Sequence, residues 1–107
     1  MPALDVSVLD LPAHHLRSLQ GLLAKHTPNA QVWAYGSRIN GDAHEGSDLD
    51  LVLRNPVDLT QDVAAWFELK QALQASALPI LIDVHLWSRL PVTFQENIEA
   101  AYVVLQE

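Results

Sequence analysis

The chain predicts an α+β domain, a small mixed β-sheet flanked by helices. Three observations lead there. Apolar spacing runs in the order helix, strand, strand, helix, strand, helix. The 107 residues are half apolar, which suits one buried core but not two. No internal repeat, low-complexity tract or long linker interrupts them, so residues 1–107 are expected to form a single domain.

Pro2 to Pro12 reads as an extended lead-in. Residues 12–26 read as a helix, with Pro12 suited to its first position and Leu16, Leu19, Leu22 and Leu23 forming an apolar stripe. Thr27-Pro28-Asn29 is a stop and turn. Residues 31–36 read as a strand ending at Gly36, and Gly36 to Gly46 as a loop or a short helix followed by a loop. Residues 48–54 alternate at their start and form a second strand, which Asn55-Pro56 ends. A long helix is expected from Leu59-Thr60 to about Ser76, with Thr60 as N-cap and Asp62 in the first turn. Residues 79–86 give a third strand, rich in Ile, Leu and Val. Pro91 to Glu107 reads as a last helix, with Phe94, Ile98, Ala101 and Leu105 on one side.

Composition excludes several classes. Lys and Arg total 6 and Asp and Glu total 13, so the net charge is 6 − 13 = −7. Such a surface argues against direct nucleic-acid binding, which needs clustered cations. No apolar run approaches the ~20 residues of a membrane span. Met1 to Asp10 carries two aspartates and no Lys or Arg, unlike a signal peptide. A cytoplasmic protein away from membranes is expected. Without cysteine there is neither a disulfide framework nor a thiolate metal site.

The stretch from Gly36 to Leu51 carries the chemistry. Asp48 and Asp50 stand two apart on a strand, so their carboxylates share a face. They are either solvated strand-end acids or ligands of a hard cation such as Mg²⁺ or Mn²⁺. Gly36-Ser37 is either an ordinary turn or one whose backbone N–H groups approach a phosphate. Arg38 is either a surface arginine or a cation beside that phosphate. Together, a phosphate turn and a paired-acid strand make two complementary halves of one nucleotide site. Asp83 is the candidate third acid, because an aspartate inside an apolar strand is expensive to bury unpaired. Asp58 and Asp62 read as loop and helix-cap acids instead. His85 should share the face of Asp83, and a plain strand histidine is the default reading. His44 reads as a solvated loop residue. Trp33 and Tyr35 share a strand face as core or site wall, and Trp87 ends the third strand, where its indole could lie near a base.

Gly36-Ser37, Gly41 and Ser47-Asp48-x-Asp50 resemble the signature of the DNA polymerase β-like nucleotidyltransferase superfamily. The form Gly-Ser-Arg-x-x-Gly…Ser-Asp-x-Asp is similar to its minimal branch, the antitoxin half of MNT/HEPN pairs. Residues 96–105 are similar to that family's C-terminal helix and tail. The resemblance implies a polymerase β-like fold and metal-dependent transfer of AMP from ATP to a tyrosine of a HEPN ribonuclease toxin. It assigns Asp48, Asp50 and Asp83 to two divalent metals, Mg²⁺ or Mn²⁺, and to catalysis. Gly36, Ser37, Arg38 and Ser47 fall in the nucleotide-binding part of the motif. A hetero-oligomer with the toxin follows. Many members have Ala-Arg where this chain has Ile39-Asn40, one cation fewer, which motivates the alternative of a weakly catalytic antitoxin acting by occlusion. Transfer to a small hydroxylated acceptor ranks last, since no second domain is present to bind one.

Overall fold

The computed structural model describes residues 3–41 and 47–107. Among these residues, five strands form one mixed sheet in the order β1-β5-β2-β3-β4. Strand β1 is Ala3–Leu4, β2 Gln31–Tyr35, β3 Leu49–Arg54, β4 Ile82–Leu86 and β5 Tyr102–Gln106. Helix α1 spans Ala13–His26, α2 Ser37–Asn40, α3 Trp66–Ala75 and α4 Val92–Ala100. The predicted class of a mixed sheet flanked by helices is the architecture found.

Strand β2 runs antiparallel to both β3 and β5, whereas β3 and β4 run parallel, as do β1 and β5. The parallel β3–β4 pair requires a crossover, and α3 supplies it. One face of the sheet carries Val32, Ala34, Leu49, Leu51, Leu53 and Val103, all at most 1% exposed. Helices α1 and α3 contact each other and cover this face, with Leu19, Leu23, Leu69 and Leu73 buried against it. Each such leucine contributes roughly 1.5–3 kcal/mol of transfer free energy. The opposite face is mixed: strand register places Tyr35, Asp50 and Asp83 in one row, Trp33, Val52 and His85 in the next, and Gln31 and Arg54 beyond them.

Several expected boundaries shift, each for a local reason. The lead-in is not uniformly extended: after β1, residues Val6–Val8 form a 3-10 turn capped by Asp5, whose Oδ1 accepts from the Ser7 N–H at 2.9 Å. Pro12 lies just before α1 rather than inside it. The helix expected from residue 59 begins only at Trp66. Asn55 Oδ1 accepts from the Val57 N–H at 3.1 Å, and Asp58 Oδ1 accepts from the Thr60 N–H and hydroxyl at 2.9 and 2.6 Å. These side chains compete with helical hydrogen bonding, so Thr60 is held in an Asp58 turn instead of capping a helix. Asp62 is drawn away as well, accepting from Ser88 and pairing with Arg89 at 2.7 Å. The third strand starts at Ile82, three residues later than expected.

The largest correction is at the end of the chain. Residues 91–107 are not one helix: α4 stops at Ala100, and Tyr102–Gln106 form a strand that joins β2. The run Tyr-Val-Val-Leu is aromatic and β-branched, and its Val103 and Leu105 are buried at period two. The apolar spacing of Ala101 and Leu105 fits a helix, but strand pairing on both sides of β5 prevails.

Leu51→Ala tests which face carries the stability. Leu51 is fully buried in the middle strand of the β2–β3–β4 half. Its truncation should cost about 2–5 kcal/mol in a urea titration, a large part of a typical total. A loss under ~1 kcal/mol would contradict this packing.

Candidate active site

Register brings the acids together. In the parallel β3–β4 pair Asp50 lies directly opposite Asp83, and in the antiparallel β2–β3 pair Asp50 lies opposite Tyr35. His85 follows Asp83 on the same face. One oxygen each of Asp50 and Asp83 and one ring nitrogen of His85 lie within 4.8 Å of one another. The expectation of a plain strand histidine is therefore incomplete: the fold sets an imidazole beside the two carboxylates. Asp83 itself is exposed, not buried, because β4 is the edge strand and this end of the face is open.

The electrostatics follow from that crowding. Asp50 is held above its ordinary carboxylate value of 3.8 by burial first, then by the charge of Asp83; His85 opposes the rise and Asp48 adds to it. Asp48 stands partly buried, one position before β3 begins. Tyr35 is 8% exposed, and its hydroxyl is buried without a hydrogen-bond partner among the described residues. Burial, then the charges of Asp50 and Asp83, push its pKa far up, so the phenol stays a proton donor beside the acids.

The glycine turn abuts the same carboxylate. Gly36 sits at φ 86° and ψ −155° just before α2, in a region that L-residues with side chains rarely adopt. A Cβ at this position would lie 2.7 Å from Asp50 Oδ2. Glycine is thus required twice, for conformation and for clearance. Ser37 is the first residue of α2, and the Ile39 N–H closes the turn onto the Gly36 carbonyl at 3.1 Å. A cavity of about 230 Å³ opens beside it, walled by Tyr35, Gly36, Asn40, Phe94 and Asn97.

Arg38 is not beside this turn as a solvent-facing cation. It is 6% exposed, and its guanidinium spans two backbone segments. Nε and Nη2 donate to the Ser47 carbonyl at 3.1 and 2.9 Å, and Nη1 donates to the Asp10 carbonyl at 2.8 Å. The Asp10 N–H returns a bond to the Arg38 carbonyl at 2.7 Å. Arg38 therefore ties the lead-in, α2 and the residue before Asp48 into one unit. Ile39 is core, 5% exposed. Ser47 is positioned through its carbonyl by this clamp. His44 lies outside the described residues. Trp87 is buried, edge-on to Trp33 at 5.6 Å, with the Arg54 guanidinium over both rings, so its indole is wall rather than an open stacking surface.

The donor set suits a divalent cation. Two opposed carboxylates, an imidazole and an orphaned buried hydroxyl converge at one strand end, where like charges repel unless a cation separates them. Asp50 and Asp83, with Asp48 adjacent, are the residues that could hold it.

Residues 17–107 match the family described as Polymerase beta, Nucleotidyltransferase. The chain belongs to the polymerase beta nucleotidyltransferase family. A curated relative from Haemophilus influenzae, the probable protein adenylyltransferase MntA, is 37% identical over 99 residues, covering 92% of this chain and 85% of the relative. A solved structure described as a toxin-antitoxin with AMP-PNP superimposes with a TM-score of 0.66 at 25% identity, over 84% of this chain and 71% of that one. The expected minimal branch of the superfamily is thereby upheld, and the chain is a nucleotidyltransferase. No helix among the described residues is long and apolar enough to cross a membrane.

Two outcomes test this nucleotidyltransferase site. The folded protein binds the Asp50 proton more tightly than the unfolded chain does, so the stability tied to that proton is full below 3.8 and is lost as pH rises through the raised value. In chelator at neutral pH, Asp50→Asn should stabilise the protein by on the order of 0.5–1 kcal/mol, a Tm gain of a few degrees. The gain should vanish when melts are run below pH ~4, where the wild-type carboxyl is protonated too. Gly36→Ala should lose about 1–3 kcal/mol in urea titrations, from the positive φ and the contact with Asp50.

Proposed function

We propose that this nucleotidyltransferase transfers AMP from ATP to a tyrosine hydroxyl of a partner HEPN ribonuclease toxin and so acts as its antitoxin. The observation that carries the reading is the Asp50–Asp83 pair in register against the Gly36 turn. The relative named as a probable protein adenylyltransferase and the toxin-antitoxin structure with AMP-PNP support the acceptor class and the nucleotide.

In this reading Asp48, Asp50 and Asp83 hold Mg²⁺ or Mn²⁺. The divalent cations, when bound, neutralise phosphate charge and lower the pKa of the acceptor hydroxyl. The chain's own residues do the positioning. Backbone N–H groups at Gly36-Ser37, with the Ser37 hydroxyl and Ser47 nearby, hold the triphosphate. Arg38 keeps Ser47, and with it the Asp48–Asp50 strand, at a set distance from that turn. The acceptor oxygen forms a bond to the α-phosphorus as the bond to the β-phosphate oxygen breaks, and pyrophosphate leaves in line. The hydroxyl proton passes to the Asp83 carboxylate, the most solvent-open acid of the opposed pair. Positioning and electrostatics provide most of the acceleration in such transfers.

A second reading is favoured by two specific positions. Arg38 is committed to backbone carbonyls, and position 40, where many members carry arginine, is Asn40, so neither adds a cation to the phosphate turn. A weakly catalytic antitoxin would then neutralise the toxin by occlusion.

Incubating the purified chain with its toxin, ATP and Mg²⁺ should add AMP units to the toxin by intact mass. Asp48→Asn and Asp50→Asn should each lower that transfer by at least ~10³-fold while the far-UV spectrum is kept. Undiminished labelling by either variant would overturn the catalytic assignment. Full neutralisation of the toxin by Asp48→Asn without transfer would establish occlusion.

A further inference from the structure

The family motif accounts for carboxylates, but it leaves the imidazole of His85 unexplained. His85 stands two residues after Asp83 on the edge strand, half-buried, with a ring nitrogen in the same cluster as the Asp50 and Asp83 oxygens. The ring is turned toward the site, its centroid 6.3 Å from that of Tyr35. Tyr35 is the independent sign that this pocket is built for another polar group: its hydroxyl is buried beside the same acids with no partner among the described residues. Buried hydroxyls are rarely left so, because each unmade hydrogen bond costs about 1–3 kcal/mol.

We propose that Asp50, Asp83 and His85 form a mixed oxygen–nitrogen site that takes a first-row transition dication in the nucleotide-free protein, in preference to Mg²⁺. This deepens the metal-dependent reading above and rests on it only for the shared carboxylates. The three donor atoms lie within 4.8 Å of one another. Metal–ligand bonds of about 2.0–2.2 Å place donors roughly 3–4 Å apart, so a small rotation of the exposed Asp83 side chain closes the set. The chemistry of the donors sets the preference. Mg²⁺ demands oxygen ligands and gives up its waters reluctantly, whereas imidazole favours the later first-row metals in the Irving–Williams order. Strand geometry makes the preference durable: Val84 and Leu86, on the other face of β4, are buried and hold the His85 backbone in place.

The test uses the full chain, freed of metal with chelator and without nucleotide or acceptor, with Mn²⁺ alone and Mg²⁺ alone as probes. Pulsed electron paramagnetic resonance of the Mn²⁺-loaded protein should show nitrogen-14 coupling from a directly bound imidazole. His85→Ala and His85→Gln should abolish that coupling and weaken Mn²⁺ binding by at least ~10-fold, with Mg²⁺ binding changed by less than ~3-fold. Circular dichroism confirms that each variant is folded. Absence of the nitrogen coupling in the wild type, its persistence in both variants, or equal weakening of both metals would overturn the proposal. The two readings fail separately. A chain that transfers AMP but shows no nitrogen coupling loses only the mixed site. A chain that shows the coupling but labels no toxin loses only the transferase reading.

Discussion

Two carboxylates placed opposite each other on neighbouring parallel strands are a standing repulsion, and the rest of this structure is arranged around it. Side chains directly opposed in a sheet are close enough for like charges to destabilise the pair. Asp50 and Asp83 occupy such positions, and Asp50 is partly buried as well, which holds its carboxyl above the ordinary range. His85 relieves this only in part, and the Tyr35 hydroxyl makes no hydrogen bond among the described residues. The strain is tolerated because the same two strands are locked from behind. Leu49, Leu51 and Leu53 alternate with Asp50, and Val84 lies beside Asp83, all facing the core under α1 and α3. A one-residue slip of β3 would relieve the repulsion, but it would also turn its leucines to solvent.

The turn and the clamp are the second layer of that arrangement. Gly36 lets the backbone pass so close to Asp50 that no Cβ fits between them. Arg38, two residues further on, is spent on carbonyl oxygens of Asp10 and Ser47. A buried guanidinium with three bonds to fixed backbone is a rigid strut. It fixes where β3 begins relative to α2, and therefore where Asp48 and Asp50 stand relative to the turn. A residue that looks like a ligand for phosphate in one dimension becomes, in three, part of the frame that gives the site its spacing.

How much of this was legible in the chain differs by kind of signal. Alternation at its start made β3 readable, and Leu16 to Leu23 made α1 readable, because a buried face imposes a period; β2, buried on both faces, was legible as a short run ending at Gly36. The motif from Gly36 to Asp50 was legible because glycine and paired aspartates are costly unless the backbone or a cation requires them. The last strand was not legible: Ala101 and Leu105 also satisfy a helical period, and only pairing with two distant strands decides between them. The start of α3 was hidden for a related reason. Asp62 reads as a first-turn helix acid, but its partners are Ser88 and Arg89 across the fold, while Asp58 holds the expected cap Thr60 in a turn. Asp83 stood out as an acid, costly to bury, in an apolar strand, although its place on the edge strand leaves it exposed. His85 was undervalued because a histidine carries no such cost, and its meaning depends on which residue the neighbouring strand sets opposite Asp83.

The acidic balance of the chain takes on a different sense once the site is laid out. A triphosphate brings several negative charges to a place already holding three aspartates, and the two sequence positions next to the turn do not answer them: Arg38 is a strut and position 40 is an asparagine. Backbone dipoles at a short helix contribute only a fraction of a charge. The counter-charge must therefore enter from solvent as cations, and the affinity for nucleotide is tied to the occupancy of the carboxylates to a degree that a basic phosphate loop would not impose. A nitrogen donor at His85 acts on that dependence directly, because it changes which cation is present before the nucleotide arrives. Nucleotide binding, metal identity and the register of β3 against β4 are in this way one problem, settled by which side chains the sheet sets opposite one another.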